Sequence, residues 1–392
     1  MRLSAILRAS RAPDSRLPWL APLKVAQLQH IARATGIQSS GTKSVLAARI
    51  ETALCQHLVV PAQEKNRNDW SVLSIDMGIQ NLAFAHLRVP RASRMLTAAR
   101  APSRPVLTAW HRLKVSEIED LDLQGSGARI DVTGLASEPN AESFSSTQTV
   151  KANAMPAALK EAFSPDLYAA TAYTLITSLL SAYKPTHILI ERQRFRSGGG
   201  SAVQEWTIRV GVLEGMLHAV LHTLRHERGS DLAGIDVQGI EPKRVVRYWQ
   251  ELDSDTAPNC EDGTKKARVS AREVKKAKID LVGRWLESSL VPNISENGAT
   301  CSSGDMELGV TLDRKICLAA DRPELHDLAG AYLRKWRGEG TKKRSLSIAN
   351  ANGEIGKLDD LADCLLQGVT WVEWQVMREK IAREGVEALE RS

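Results

Sequence analysis

Five carboxylates in this chain stand in apolar surroundings, where a charge is costly unless it is paired or bound to a cation. Asp76 ends the run SVLSID, Glu191 follows the apolar run HILI, and Asp359, Asp360 and Asp363 punctuate KLDDLADCLLQGV. Asp360 and Asp363 are three residues apart, so a helix places both on one face. Asp359 lies off that face, near the expected helix N-terminus, where the dipole favours a negative charge. Gathering Asp76, Glu191, Asp360 and Asp363 at about 6 Å would raise roughly 2.8 kcal/mol of repulsion per pair at an effective dielectric near 20, about 17 kcal/mol in all. Such a group could stand only with cations. Hard oxygen donors with high negative charge select Mg²⁺ or Mn²⁺ over Zn²⁺. Two such ions roughly 4 Å apart can hold a phosphodiester, generate hydroxide and stabilise the leaving oxygen. The chemistry to expect is therefore phosphodiester hydrolysis. Taken singly, each acid has a plainer reading: a turn cap at Asp76, an arginine partner for Glu191, a helix cap at DDLAD.

Basic residues interleave with these acids. Arg192, Arg194 and Arg196 follow Glu191 in ERQRFRSGGG, Lys243, Arg244 and Arg247 lie in EPKRVVRYW, and Lys275, Lys276 and Lys278 lie in REVKKAK. Such clusters suit contacts to nucleic-acid phosphates, with strongly salt-dependent affinity. A solvated helix face accounts equally well for any one lysine. Phe195 fits either a stacking wedge or a core position. Glu214, His218 and His222 have a spacing that a metal could use, but no fourth ligand is evident and the same segment carries a full apolar stripe. Trp371 and Trp374 read as core packing.

The elements that must position these residues follow from the apolar periodicity. Residues 71–89 predict a buried strand, a turn at Asp76-Met77-Gly78 and a second strand, with Val72, Ser74 and Asp76 on one face. A third strand is expected over 106–116, a helix over 164–183 from a Ser-Pro-Asp start, and a short strand over 186–193 carrying Glu191 near its end. Then come a long helix over 201–225, a strand and short helix over 235–249, a basic helix over 271–288, a short helix near 324–337, and a strong helix from 359. The apolar residues of 201–225 exceed one face, which marks that helix as a candidate dimer interface. Segments 119–160, 250–270 and 289–355 read as insertions, and 381–392 as a C-terminal tail. This order fits an α/β domain with a mixed sheet flanked by helices, spanning 70–380.

At 392 residues the chain has room for two or three domains, and its 43% hydrophobic content is that of a globular protein. No run approaches the ~18 apolar residues of a membrane span, so no membrane role is expected. Five cysteines form no C-x-x-C pair, which disfavours a disulfide framework or a zinc ribbon and favours a reducing compartment. The first 60 residues hold eight Lys/Arg against two Asp/Glu, so the whole net charge of +6 resides there. Within them, 1–17 has the arginine-rich, acid-poor character of a mitochondrial transit segment. Residues 18–56 predict a small helical module, and 57–69 a linker. In that module Gly36 ends a first helix, and Thr42 can cap a second that starts at Lys43.

The helix–GI-x-x-SGTK–helix pattern of the N-terminal module resembles the SAP DNA-binding unit, in which the second helix would offer its amides and Lys43 to backbone phosphates. The larger domain resembles the fungal mitochondrial Holliday junction resolvases, relatives of bacterial RuvC in the RNase H-like superfamily. The resemblance runs through SIDMGIQNLA, ILIERQRFRS with its long helix, GIEPKRV-x-x-YW and KLDDLADCLLQGVTWVEW, from about 71 to 375. It implies an RNase H-like mixed sheet, a homodimer, a four-way DNA junction as substrate, two Mg²⁺ or Mn²⁺ ions per site and a mitochondrial matrix location. By the same match Asp76 is the first-strand catalytic acid, Glu191 the central one and Asp360 with Asp363 the C-terminal pair, with Asp359 a helper. Gln80 stands where a basic residue would be expected, and the insertions put the outer DNA surface in doubt. Two rivals remain at this point. An actin-like ATPase or kinase shares the D-x-G turn of IDMGIQN, but its second phosphate loop and glycine-rich adenosine site are not found. A non-catalytic DNA-packaging protein would use the SAP-like module alone.

Overall fold

The computed structural model describes residues 16–58, 69–78, 82–90, 104–115, 118, 164–193, 205–229, 232–256, 270–290, 314–339 and 357–390. The expected transit segment up to residue 15, the insertion over 119–160, and Arg194, Phe195 and Arg196 lie outside the described residues.

Six strands form one mixed sheet: β1 (Trp70–Asp76), β2 (Leu82–Val89), β3 (Val106–Leu113), β4 (His187–Glu191), β5 (Asp236–Ile240) and the two-residue β6 (Cys317–Leu318). Their order is β5-β4-β1-β2-β3-β6. β1, β2 and β3 pair antiparallel, whereas β4 joins β1, β5 joins β4 and β6 joins β3 in parallel. The expected mixed sheet flanked by helices is the arrangement found.

The alternation of β1 explains why both faces of the sheet are covered. Leu73 and Ile75 point into one core, shared with α3 (Pro165–Tyr183) and α4 (Glu205–Glu227) through residues such as Leu175, Leu179, Leu213 and Leu217. Trp70 and Val72 point into the other, built with α5 (Pro242–Thr256), α6 (Ala271–Leu290), α7 (Pro323–Trp336) and α8 (Leu358–Glu384). With both faces buried, a parallel β1–β4–β5 edge is stable only under such a double cover.

α8 has 27 residues, about 40 Å of helix, and its burial runs around most of its circumference. It crosses β1, β2 and β3 near its start, packs on α5 and α6, and then meets α2. Gly368 lets it come close to the sheet: a Cβ there would lie 2.9 Å from Leu87 and 3.2 Å from the Ser74 Cβ. Trp371 stacks edge-on against Trp70 and donates its indole N–H to Gln238 Oε1 at 2.9 Å, and Trp374 is buried. Both tryptophans serve the core, as their spacing suggested.

The N-terminal module consists of α1 (Val25–Ala34) and α2 (Lys43–Leu58), with Leu28, Ile31, Leu46, Ile50 and Leu54 fully buried between them and the end of α8. Three differences from the sequence reading follow from this packing. The tail expected at 381–392 takes part in the fold: Ile381 and Ala388, the latter on α9 (Glu387–Glu390), are buried against this module. The segment expected as an insertion from 250 continues α5 to Thr256 before leaving the described residues at 257. The 289–355 segment contributes β6 and α7, whose Leu325, Ala329, Tyr332 and Leu333 are buried in the main core. Both α5 and α7 were expected, the first only as a short helix ending at 249; the polar residues beyond it read as a loop. Among the described residues no helix is long and apolar enough to cross a membrane.

Candidate active site

β1 and β4 run parallel with Ile75 opposite Ile190, so the next residues on the two strands are Asp76 and Glu191. Equal rungs of neighbouring strands project to the same face, and the two carboxyl groups meet there. Asp76 and Glu191 hydrogen-bond through their side chains. Burial pushes the Asp76 carboxyl well above the usual carboxylate range, helped by that bond and by the charges of Glu191, Asp363 and Asp360. Two acids side by side in a buried site disfavour charge on Asp76. Glu191 also accepts from the Met77 amide at 3.4 Å and from Gln193 Nε2 at 3.3 Å, and the Gln193 amide donates to Glu214 Oε2 at 2.9 Å. Glu214 thus holds the chain just after β4.

The other acids come from the first two turns of α8. Each of them faces a cation. Lys278 on α6 donates to Asp363 Oδ2 at 2.6 Å, Lys275 lies 2.6 Å from Asp359 Oδ2, and Arg112 on β3 stands 3.2 Å from Asp360 Oδ2. Burial raises Asp363 to about 6 although Lys278 opposes the shift, and the charges of Glu191 and Asp359 add to it. Asp360 is also raised, by burial and Asp359, against the pull of Arg112, Lys357 and Lys275. Among the described residues no three acid, histidine or cysteine side chains are close enough to grip one ion as they stand. Asp359 faces Lys275, off the Asp360–Asp363 stripe, as helix periodicity requires.

The basic residues divide into two groups. Lys43, Arg192, Lys243 and Lys276 are exposed, with Arg192 also packing its stem over Gly239. Arg244 instead donates Nη1 to Gly36 O at 3.1 Å and pairs with Glu241, so it clasps the N-terminal module to α5. Lys275 and Lys278 face the acids. Arg112, which the sequence reading passed over, is the third cation of the site. An arginine alternating along a strand gives no outward sign of a catalytic neighbour; only the register of β3 against β2 places it there.

The donor set fits a hard divalent cation. It consists of carboxylate oxygens alone, two of them side by side on β1 and β4. Asp76 and Glu191 from the strands with Asp360 and Asp363 from the helix are the residues that would hold it.

A mixed-sheet α/β domain that gathers carboxylates from β1, β4 and α8 defines the class of site. The chain belongs to the family described as mitochondrial resolvase Ydc2 / RNA splicing MRS1, whose model matches residues 72–381. A SAP domain model matches residues 23–55. The chain is similar to a protein of Schizosaccharomyces pombe named "Cruciform cutting endonuclease 1, mitochondrial", at 26% identity over 59% of this chain and 69% of that protein. The Saccharomyces cerevisiae protein of the same name is 22% identical over 91% of this chain and 84% of that one. The solved structure of the yeast mitochondrial Holliday junction resolvase Ydc2 is similar at a TM-score of 0.49 and 20% identity, covering 94% of this chain and 99% of that one.

Proposed function

We propose that this protein is a mitochondrial endonuclease that resolves four-way DNA junctions by metal-dependent phosphodiester hydrolysis. The observation that carries the reading is the Asp76–Glu191 carboxyl pair, set beside Asp363 and Asp360. RNA or DNA binding alone needs cations at phosphates. It gives no reason to bury carboxylates against each other, at a cost to the fold. Within a family whose description covers both a resolvase and a splicing protein, that pair favours catalysis.

Asp76, Glu191, Asp360 and Asp363 would hold two Mg²⁺ or Mn²⁺ ions, which supply an activated water and neutralise charge on the leaving oxygen. Asp359 keeps Lys275 beside the site. Exposed Arg192, Lys243, Lys276 and, on the SAP module, Lys43 would contact backbone phosphates, with Arg194, Phe195 and Arg196 on the segment after β4. Two cuts placed symmetrically on a junction call for two sites related by a two-fold axis. A homodimer through α4 is supported by its outward stripe of Ile208, Val212, Gly215 and Ala219, next to exposed Leu167 and Tyr173 on α3. The arginine-rich N-terminus and the names of both fungal relatives support a mitochondrial, matrix location.

The test is a synthetic four-way junction against a matched linear duplex, with and without Mg²⁺. The expected result is paired nicking of the junction only, and only with metal. Asp76→Asn and Asp360→Asn should bind the junction as the parent does and lose cleavage. Asp76→Asn should also melt at a higher temperature without metal, since the amide carries no charge. Binding without metal-dependent nicking in the parent would overturn the catalytic reading.

A further inference from the structure

Gln367 is a polar side chain in the middle of the main core. It is 4% exposed, and Leu365, Leu366, Val369 and Trp371 around it on α8 are all buried. A leucine would fill such a position at no polar penalty; an amide there must find partners. Its Nε2 lies 3.0 Å from Ser74 Oγ, 3.2 Å from Ile75 O and 3.4 Å from Leu189 O. Those three acceptors belong to β1 and β4. Ile75 is the residue before Asp76, and Leu189 is two before Glu191.

The spacing along the two elements agrees. Asp360, Asp363 and Gln367 form one i, i+3, i+7 stripe on α8. From Gln367 back to Asp363 is about 6 Å of helix rise. From Ser74 on to Asp76, side chains on the same face of β1, is about 6.6 Å. The Ser74–Gln367 contact therefore puts Asp76 and Asp363 at the next rung between the same strand and helix. Gly368 permits the close approach, its position facing Ser74 and Leu87.

We propose that Gln367 is a positioning residue for the nuclease site: its amide ties the two acid-bearing strands to the acid-bearing helix and so sets the gap that the divalent ions must bridge. It touches no substrate, and it acts through Asp76, Glu191 and Asp363. The inference rests on the four-carboxylate reading of the site.

The experiment compares Gln367→Met, similar in shape but without donors, with the parent protein. Junction affinity without metal, melting temperature, the Mn²⁺-induced rise in melting temperature, and the Mn²⁺ dependence of single-turnover nicking are measured for each. Loss of an outer partner of metal ligands weakens metal affinity or activity by about 10–100-fold. Gln367→Met is expected to keep junction affinity within about twofold while requiring about tenfold more Mn²⁺ for both the thermal shift and half-maximal nicking. A parent-like Mn²⁺ response in both readouts would overturn the proposal. If Gln367→Met does not fold, Ser74→Ala removes one acceptor and should shift the Mn²⁺ response in the same direction; no shift there would also overturn it. Asp363→Asn, assayed alongside, separates this claim from the one beneath it. An inactive Asp363→Asn with a parent-like Gln367→Met removes Gln367 alone, whereas an active Asp363→Asn removes the acid site itself.

Discussion

Single residues gave up their roles unevenly. Asp76, Glu191 and the DDLAD acids were legible because ionisable groups stood inside apolar runs, which elementary solvation disfavours. Gln367 was not, since a glutamine within a helix reads as a surface residue until the helix is found to be buried on most sides. Arg244 is the opposite case: a basic residue in a basic stretch looks like a phosphate contact, and only the docking of the N-terminal module reveals its carbonyl partner. His86 shows how a residue can matter without approaching the site. Its ring bridges Ser71 Oγ at 2.7 Å and Thr108 Oγ1 at 2.5 Å across three strands, and burial, with Arg88 and Arg322 nearby, lowers its pKa to about 4. The folded protein therefore holds the neutral ring where the unfolded chain would take a proton. The stabilisation is complete above the ordinary value of 6.5 and is lost as pH falls toward 4. Denaturant titrations of the parent and His86→Gln at pH 7.5 and pH 4.5 should show the variant's deficit shrinking by about 2.5 kcal/mol at the lower pH. An unchanged deficit would mean that the ring titrates normally in the fold.

At the scale of elements, strands and helices with an apolar period were predictable to within a few residues. Those whose burial comes from partners distant in sequence were not. α7 was expected near 324–337, whereas the edge strand β6 beside β3 lies between stretches of polar residues that hide it. The seam between α1 and α8 is a similar case. Gly36 has φ +66°, and a Cβ on it would lie 2.1 Å from the Trp374 ring, while Arg378 Nε donates to Thr35 O at 2.8 Å and Arg33 pairs with Glu251 at 2.8 Å. Gly36 was expected to end a helix; the structure adds that no side chain fits beneath it. Gly36→Val combines a left-handed backbone with overpacking and should cost about 2–4 kcal/mol. Urea unfolding followed by tryptophan fluorescence measures it, and a loss below about 0.5 kcal/mol would show that the seam yields easily.

For the molecule as a whole, the sequence suggested two units joined by a linker at 57–69, and it said nothing of how they pack. The contact is extensive: Leu28, Ile31, Leu46 and Ile50 of the first unit share a core with Ile381 and Ala388 of the last helices. The positive charge of the first 60 residues is thereby attached to a body that is otherwise neutral. On the far side, α3 and α4 leave Leu167, Tyr173, Ile208 and Val212 between 40% and 51% exposed. Such a patch on a chain of this family suits a second copy. If the proposed dimer forms through this patch, Ile208→Glu with Val212→Glu should turn it into a monomer by sedimentation velocity and convert paired nicks into single ones. A double variant that still sediments as a dimer would place the two-fold elsewhere.

One unbroken rod, α8, thus bears Asp360 and Asp363 at its first turns and meets the SAP module about 20–30 Å further along, so that on the proposed reading it joins the acids that cut to the unit that grips. The reach between grip and cut is then written in residue count, as in a ruler.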